Sequence, residues 1–348
     1  MRRLLSQVFA AGVLAGSAVL AAGADMALVK EAAATRGGEI IVQSALFESL
    51  NSQITRAFNE AFKPHKLSVK VVRIQTGQQA NLYEQELRAN RVSGDVMFMV
   101  DPGLFVRFAR EGKLTPYCTP HAKEYRPEAL SKDCSFTHVT AYYQYLSYNP
   151  ELVKGSDVPT SWRDLLDPKW KGKISIPDPK VGGGHYYFVF TMYKLFGQEW
   201  FKKVRANNPM LTQSHGTTHN QIMSGERHMG VNISVLARRD GPYPGGKGAP
   251  VKEAFPKEGG ALLAGSMAVT KGGPNPAGAK VFIEWATSLE GQKAINRLGH
   301  FSLRKDFTSV EGDDLSKIRY HWWDPDEMDK FRNQWTQESQ KILLGNGS

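Results

Sequence analysis

The sequence predicts an α/β fold of two lobes, each a mainly parallel sheet flanked by helices, with two chain crossings that act as a hinge. Three observations predict it. Strand and helix patterns alternate from Gly38 onward, a second alternating block follows residue 139, and a strand, turn and helix near Met267 carry the chain back to the first block. Strands separated by helices pair in parallel, because each helical crossover returns the chain to the same edge and covers one face of the sheet. The chain has 348 residues. Without a leader, the roughly 320 that remain exceed the size at which one hydrophobic core keeps growing, so two lobes are expected.

The amino terminus reads as a secretory signal over residues 1–24. Arg2 and Arg3 precede an uncharged run that closes with the small triplet Ala22, Gly23 and Ala24, and cleavage is expected before Asp25. An uncleaved anchor is the alternative, since about 20 apolar residues can span a bilayer. The run is dominated by Ala and Gly, which favours cleavage, and no cysteine stands at the cut for a lipid.

In the first block, strands over 39–43, 68–72 and 95–99 alternate with helices over 49–62, 81–89 and 103–111. In the second, an extended crossing strand over 139–148 leads to a short helix over 162–166. A strand over 174–176, helices over 186–196 and 199–207 and a strand over 229–233 follow. The chain returns through 251–256 to the strand around Met267. The turn Gly272-Gly273-Pro274-Asn275-Pro276 then opens a helix with Ala279, Phe282, Ile283 and Ala286 on one face, and a second helix begins near Glu290. The tail over 320–344 carries Trp322, Trp323, Phe331, Trp335, Ile342 and Leu343; its later part reads as a helix packed on a lobe, with an aromatic recognition surface as the alternative. The first lobe then comprises 38–137 plus 260–348, and the second 138–259.

The two cysteines, Cys118 and Cys134, enclose a short polar loop. In an oxidising compartment such a pair is most simply a disulfide, whereas a metal or redox site asks for tighter spacing or more ligands. The formal net charge is +10, but Lys and Arg are dispersed and form no stripe interleaved with aromatics, so no nucleic-acid partner is expected. The excess favours anionic ligands or an anionic surface. No Gly-x-Ser-x-Gly elbow, His-Glu-x-x-His helix or nucleotide fingerprint occurs, so nothing motivates an enzyme and no cofactor is expected.

Three stretches carry a family resemblance: GSMAVTKGGPNPAGAKVFIEWATSLEGQKAINR at 265–297, TGQQANLYEQELRANRVSGDVMFMVDPGLFVRFAREGKLTPY at 76–117, and TSWRDLLDPKWKGKISIPDP at 160–179. They resemble type II periplasmic solute-binding proteins of ABC importers, in the branch holding ferric-iron, thiamine, polyamine and sugar-phosphate receptors. The resemblance implies a monomeric periplasmic receptor that carries a small molecule to an ABC permease in the inner membrane. A sensor subunit serving a membrane kinase would use the same fold.

In open parallel sheets, ligands sit beyond the carboxyl ends of strands, where helices begin and present unpaired N–H groups. Four junctions are readable: Ser44; Thr76, Gly77 and Gln78; Asp101; and Gly182, Gly183, Gly184 and His185. The glycine run lets backbone approach an anion, or is a flexible turn. Asp101 contacts a ligand or caps the helix at Pro102. Tyr142 and Tyr143, near the first crossing, close over a ligand or join the core, with Tyr143 as the site candidate. Tyr186 and Tyr187 invite an iron reading, but in the ferric relatives the tyrosine pair follows a Gly-Glu motif, here Gly225-Glu226. Asn232 and Ser234 occupy that region, and a neutral amide and hydroxyl do not supply the anionic oxygens that a trivalent cation needs. His215 and His219, one helical turn apart, raise zinc. With Gly216 between them and a helix signal only from Thr217, His215 falls in the preceding loop, which faces the cleft in the relatives and gives it a ligand-contact role. The expected ligand is a small organic anion: a phosphate ester, phosphonate or carboxylate.

Overall fold

The structure, a computed structural model, describes residues 25–297, 299–307 and 315–345; the leader read at 1–24 lies outside them. Its strands in chain order are β1 (Glu39–Ser44), β2 (Ser68–Arg73), β3 (Val96–Met99), β4 (Leu114–Thr115), β5 (Thr137–Tyr148), β6 (Ile174–Pro177), β7 (Met210–Thr212), β8 (Met229–Ile233), β9 (Lys252–Ala254), β10 (Gly260–Thr270) and β11 (Tyr320–His321). They form one eleven-stranded sheet in the order β2-β1-β3-β10-β5-β8-β6-β7, with β4 and β11 on β10 and β9 on β5.

At one end β1 pairs in parallel with β2 and β3; at the other β6 pairs in parallel with β7 and β8. Between these halves run the two long strands β5 and β10, antiparallel to each other and buried along their whole length. The first part of β5 pairs with β10, from Thr137↔Met267 to Tyr143↔Leu262. Its second part pairs with β8, from Gln144↔Ile233 to Tyr148↔Met229. One strand thus leaves one half and enters the other. The register shifts between Gly265 and Ser266. Glycine suits that step, because a Cβ at Gly265 would stand 2.6 Å from Thr140 Cγ2.

The helices are α1 (Met26–Ala34), α2 (Glu48–Phe62), α3 (Thr76–Arg88), α4 (Pro102–Arg110), α5 (Gly184–Phe196), α6 (Gln198–Arg205), α7 (His215–Met223), α8 (Ser234–Asp240), α9 (Pro276–Thr287), α10 (Leu289–Ile295) and α11 (Pro325–Leu344). On one flank Phe58 stacks on Phe62 and meets Phe282 and Trp285 at ring distances of 5.4 and 5.3 Å. On the other, Trp162, Phe188 and Trp200 interlock. Helix α1 lies in the stretch that pattern reading left without an element. Asp25 caps it, and the Asp25 backbone N–H donates to Glu284 of α9 at 3.0 Å, so a tertiary contact fixes it. Helix α3 starts at Thr76 rather than 81, because its first turn is polar and carries no apolar period.

Cys118 and Cys134 are bonded across a sequence separation of 16. Beside the bridge, Tyr117 donates its hydroxyl to Glu284, and the Thr119 and Thr287 hydroxyls lie 2.6 Å apart, fastening the loop to α9. Closing a loop of this length stabilises the fold by about 3 kcal/mol. The double variant Cys118→Ala/Cys134→Ala is therefore expected to lose about 3 kcal/mol in urea denaturation with a native circular-dichroism spectrum, whereas an unchanged midpoint would exclude a stabilising role.

Candidate ligand-binding site

A cleft lies between the two halves. The first half contributes Ala45, Leu46, Phe47, Arg73, Gln75, Thr76 and Val100. The second contributes the glycine run with His185, the turn Gln213, Ser214 and His215, and Ile233; Tyr142 of β5 joins them. These positions follow strand ends, as the parallel arrangement requires.

Helix starts dominate the lining. Helices α2, α3, α5, α7 and α8 begin behind Phe47, Gln75, Gly183, Ser214 and Ile233, all of which face the cleft. Ser214 is the single one whose side chain caps its helix, accepting from the Thr217 N–H. Helices α1, α4, α9, α10 and α11, which do not start at the cleft, are all capped by a side chain, from Asp25, Asp101, Asn275, Ser288 and Asp324. Helix α6, behind Gly197, is uncapped away from it. Four helix starts thus leave first-turn N–H groups without a side-chain acceptor, each with its partial positive charge aimed at one space.

The glycine run is held by conformation and by space. Gly182 and Gly183 have φ of +75° and +55°, a region costly for any residue with a Cβ. A Cβ at Gly183 would stand 3.0 Å from Thr76 Oγ1, and one at Gly184 2.9 Å from His215 Nε2. From the other side, a Cβ at Gly77 would meet the Val181 carbonyl at 3.3 Å. The two halves touch here through backbone.

His185 donates Nδ1–H to the Asp178 carbonyl at 3.1 Å, which leaves Nε2 free of a proton. Its ring meets His215 edge-on at 4.8 Å. Both His215 ring nitrogens are buried without a hydrogen-bond partner; the Val231 backbone is near but outside bonding geometry. Burial pushes His185 down to about 4 and His215 well below the ordinary value, the latter helped by His185. Both are therefore neutral at pH 7, and each still offers a hydrogen-bonding nitrogen. Tyr142 is held protonated by burial. Arg73 donates Nε–H to the Leu46 carbonyl at 3.1 Å, and it is the one charged side chain on the lining at neutral pH.

Thr76, Gly183, Gly184, His185 and His215 line the cleft, although His215 opens α7 instead of preceding it. Gly77 and Asp101 line a neighbouring cavity with Arg332. Asp101 is fully buried, caps α4 at Leu104 N–H and pairs with Arg332, so a carboxylate expected at the ligand serves the scaffold. Five further expected contacts do not line this cleft. Ser44 is buried beneath the turn, donating to Asn51 at 2.8 Å and accepting from Leu46 N–H. Gln78 is exposed on the outer side of α3. Tyr143 lies on the opposite face of β5 from Tyr142 and donates to Glu253 at 3.1 Å. The Asn232 side-chain Oδ1 accepts from Ile233 N–H, and Ser234 donates to the Gly299 carbonyl at 2.8 Å, leaving Ile233 to face the cleft.

Arg73, Gln75 and Ser214 were missed as lining residues, and of the tyrosine pair expected near the first crossing it is Tyr142 that lines the cleft. Counting β5 in twos finds Tyr142, and Ser214 carries a helix-cap signal; Arg73 and Gln75 needed the strand end placed one residue later. Tyr186 donates to the Met328 carbonyl at 2.6 Å and Tyr187 accepts from Ala264 N–H, so both phenols are built into the scaffold. His219 meets Asp240 at 3.0 Å, and among the described residues no cluster of three or more His, Cys, Asp or Glu could hold a metal.

The bacterial extracellular solute-binding protein family matches residues 93–330, and the chain belongs to it. An uncharacterized protein of Haemophilus influenzae is 29% identical over 299 residues, which cover 81% of each chain. The periplasmic binding protein AfuA from Actinobacillus pleuropneumoniae, with exogenous fructose-6-phosphate bound, matches with a TM-score of 0.79 at 22% identity, over 88% of this chain and 99% of its own. Iron-bound HitA from Pseudomonas aeruginosa matches with a TM-score of 0.76 at 20% identity, over 87% and 99%. The fold is the two-lobed type II periplasmic binding fold. Solute-binding proteins of this kind bind a small ligand and deliver it to an ABC permease.

The buried histidines make acid sensitivity a test of this site. His185 binds a proton in the unfolded chain below its ordinary value of 6.5 but in the folded protein only below about 4. Unfolding then takes up protons, so the stability contributed by this group is complete above 6.5 and is lost as the pH falls to about 4, by about 3 kcal/mol. His215 acts in the same direction. Urea denaturation at pH 7 and pH 4.5 is expected to show a smaller acid loss for His215→Asn than for the parent; equal losses would remove His215 from the account.

Proposed function

We propose that this receptor captures a small organic anion, a phosphate ester, phosphonate or carboxylate, and delivers it to an ABC importer as a carrier rather than a catalyst. The observation that carries the reading is the convergence of four helix starts without side-chain caps, together with Arg73, on a cleft lined by no carboxylate. An anion there accepts from backbone N–H groups, each helix start contributing about 0.3–1 kcal/mol, while a charge-assisted bond from Arg73 contributes about 1.5–3 kcal/mol. The neutral imidazole of His215 adds a donor with no competing partner. The fructose-6-phosphate in AfuA is in keeping with this chemistry.

Iron, the ligand of HitA, finds little support in the cleft. Its lining carries one tyrosine, kept protonated by burial, and two histidines, kept neutral. A hard trivalent cation prefers several anionic oxygens. In the same reading residues 1–24 are a signal peptide, the lobes divide near residues 137 and 260, and the receptor works in the periplasm as a monomer, without nucleic acid.

Calorimetric titration with fructose 6-phosphate, 2-aminoethylphosphonate, citrate and ferric iron tests the proposal. At least one organic anion is expected to bind, and Arg73→Ala to weaken it roughly 10- to 100-fold, as loss of one charge-assisted bond implies. Tight ferric binding with no response to any organic anion would refute it.

A further inference from the structure

Helix α11 touches both halves, and its two contact faces differ in kind. Toward the second half it is mainly aromatic, with one partly exposed ion pair, Lys194 to Glu327 at 2.7 Å, and a hydrogen bond from Tyr193 to Glu338 beside the rings. Trp335 stacks on Tyr193 at 4.8 Å and meets Phe190 at 5.0 Å, while Trp323, just before the helix, meets Phe190 at 5.6 Å and donates to Thr191 at 2.8 Å. Tyr186 of α5 donates to the Met328 carbonyl. Toward the first half the contact is ionic. Arg110 of α4 pairs with Asp326 and Asp329, and Arg332 pairs with Asp101 at the start of α4. The apolar cluster around Leu104, Phe105 and Phe108 of α4 includes no residue of α11. Gly103 lets the helices approach, since a Cβ there would stand 3.0 Å from both the Asp329 backbone nitrogen and Arg332 Nη2.

Arg332 sits at the join. Its guanidinium lies 4.4 Å over the Tyr186 ring while bonding the Asp101 carboxylate. Asp101 is fully buried, and its second oxygen has no hydrogen-bond partner. We propose that α11 is a strap that travels with the second lobe, and that the docking of Arg332 onto Asp101 latches the lobes closed. Apolar burial is not easily exchanged for water, whereas the desolvation cost of a buried ion pair largely offsets its attraction. The aromatic face is thus the permanent attachment and the ionic face the reversible one. The strap then belongs with the second lobe, not with the first, where chain order alone puts it. Arg332 acts through Asp101 and is a positioning residue, since it does not line the cleft.

Pulsed electron–electron distances between spin labels test the latch without any ligand. Labels on cysteines replacing the exposed Glu60 of α2, Asn220 of α7 and Gln334 of α11 report each lobe and the strap. Arg332→Met keeps an unbranched stem over Tyr186, and Asp101→Asn keeps an oxygen to cap α4. In each, the population with the longer 60–220 distance is expected to rise at least threefold over the parent, with the 220–334 distance unchanged and no further rise in the double variant. Two results would overturn the proposal: 60–220 distances equal to the parent's in both variants, or a 334 label that keeps its distance to 60 while moving from 220. If one variant fails to fold, the other decides.

Discussion

Leaving helix amides without an acceptor is the constraint around which this protein is arranged. An unpaired backbone N–H in a closing cleft is costly unless something accepts from it. Helices α1, α4, α9, α10 and α11 meet that demand with Asp, Asn or Ser caps, whereas α2, α3, α5 and α8, which open onto the cleft, do not. The proposed anion site is this withheld satisfaction, with the glycine run letting the backbone itself form the wall.

Such convergence needs a particular scaffold. Helix starts gather at the carboxyl ends of parallel strands, and here the two parallel ends of the one sheet are joined through strands that reverse direction. The antiparallel strands β5 and β10 supply that reversal. β5 pairs with β10 before Gln144 and with β8 from Gln144 onward, so the same strand belongs to both halves. Few segments cross, which is the connectivity of a hinge.

Side-chain charge is arranged to leave the backbone field unopposed. Asp101, at a strand end where a ligand contact is expected, is neutralised by Arg332, and the Tyr186 and Tyr187 hydroxyls are engaged by the scaffold. Burial holds Tyr142, His185 and His215 uncharged. What remains at the lining carries no charge apart from Arg73. In the proposed reading, selection rests on dipoles and hydrogen bonds more than on ion pairs.

Alternation of strand and helix, the returning segment near Met267, the cysteine pair and the glycine run were all legible in the sequence, because each depends on residues close together in the chain. Junction residues were legible as positions but not as directions. Tyr142 and Tyr143, or Asn232 and Ile233, are neighbours whose roles are opposite because a strand turns successive side chains to opposite faces, and which face meets the cleft depends on the partner strands. Helix α1 and the double attachment of α11 were equally out of reach, since both rest on contacts between residues more than a hundred positions apart. Local pattern determined which elements exist and where a ligand could approach them; the pairing of distant strands and helices decided which side chains turn toward it.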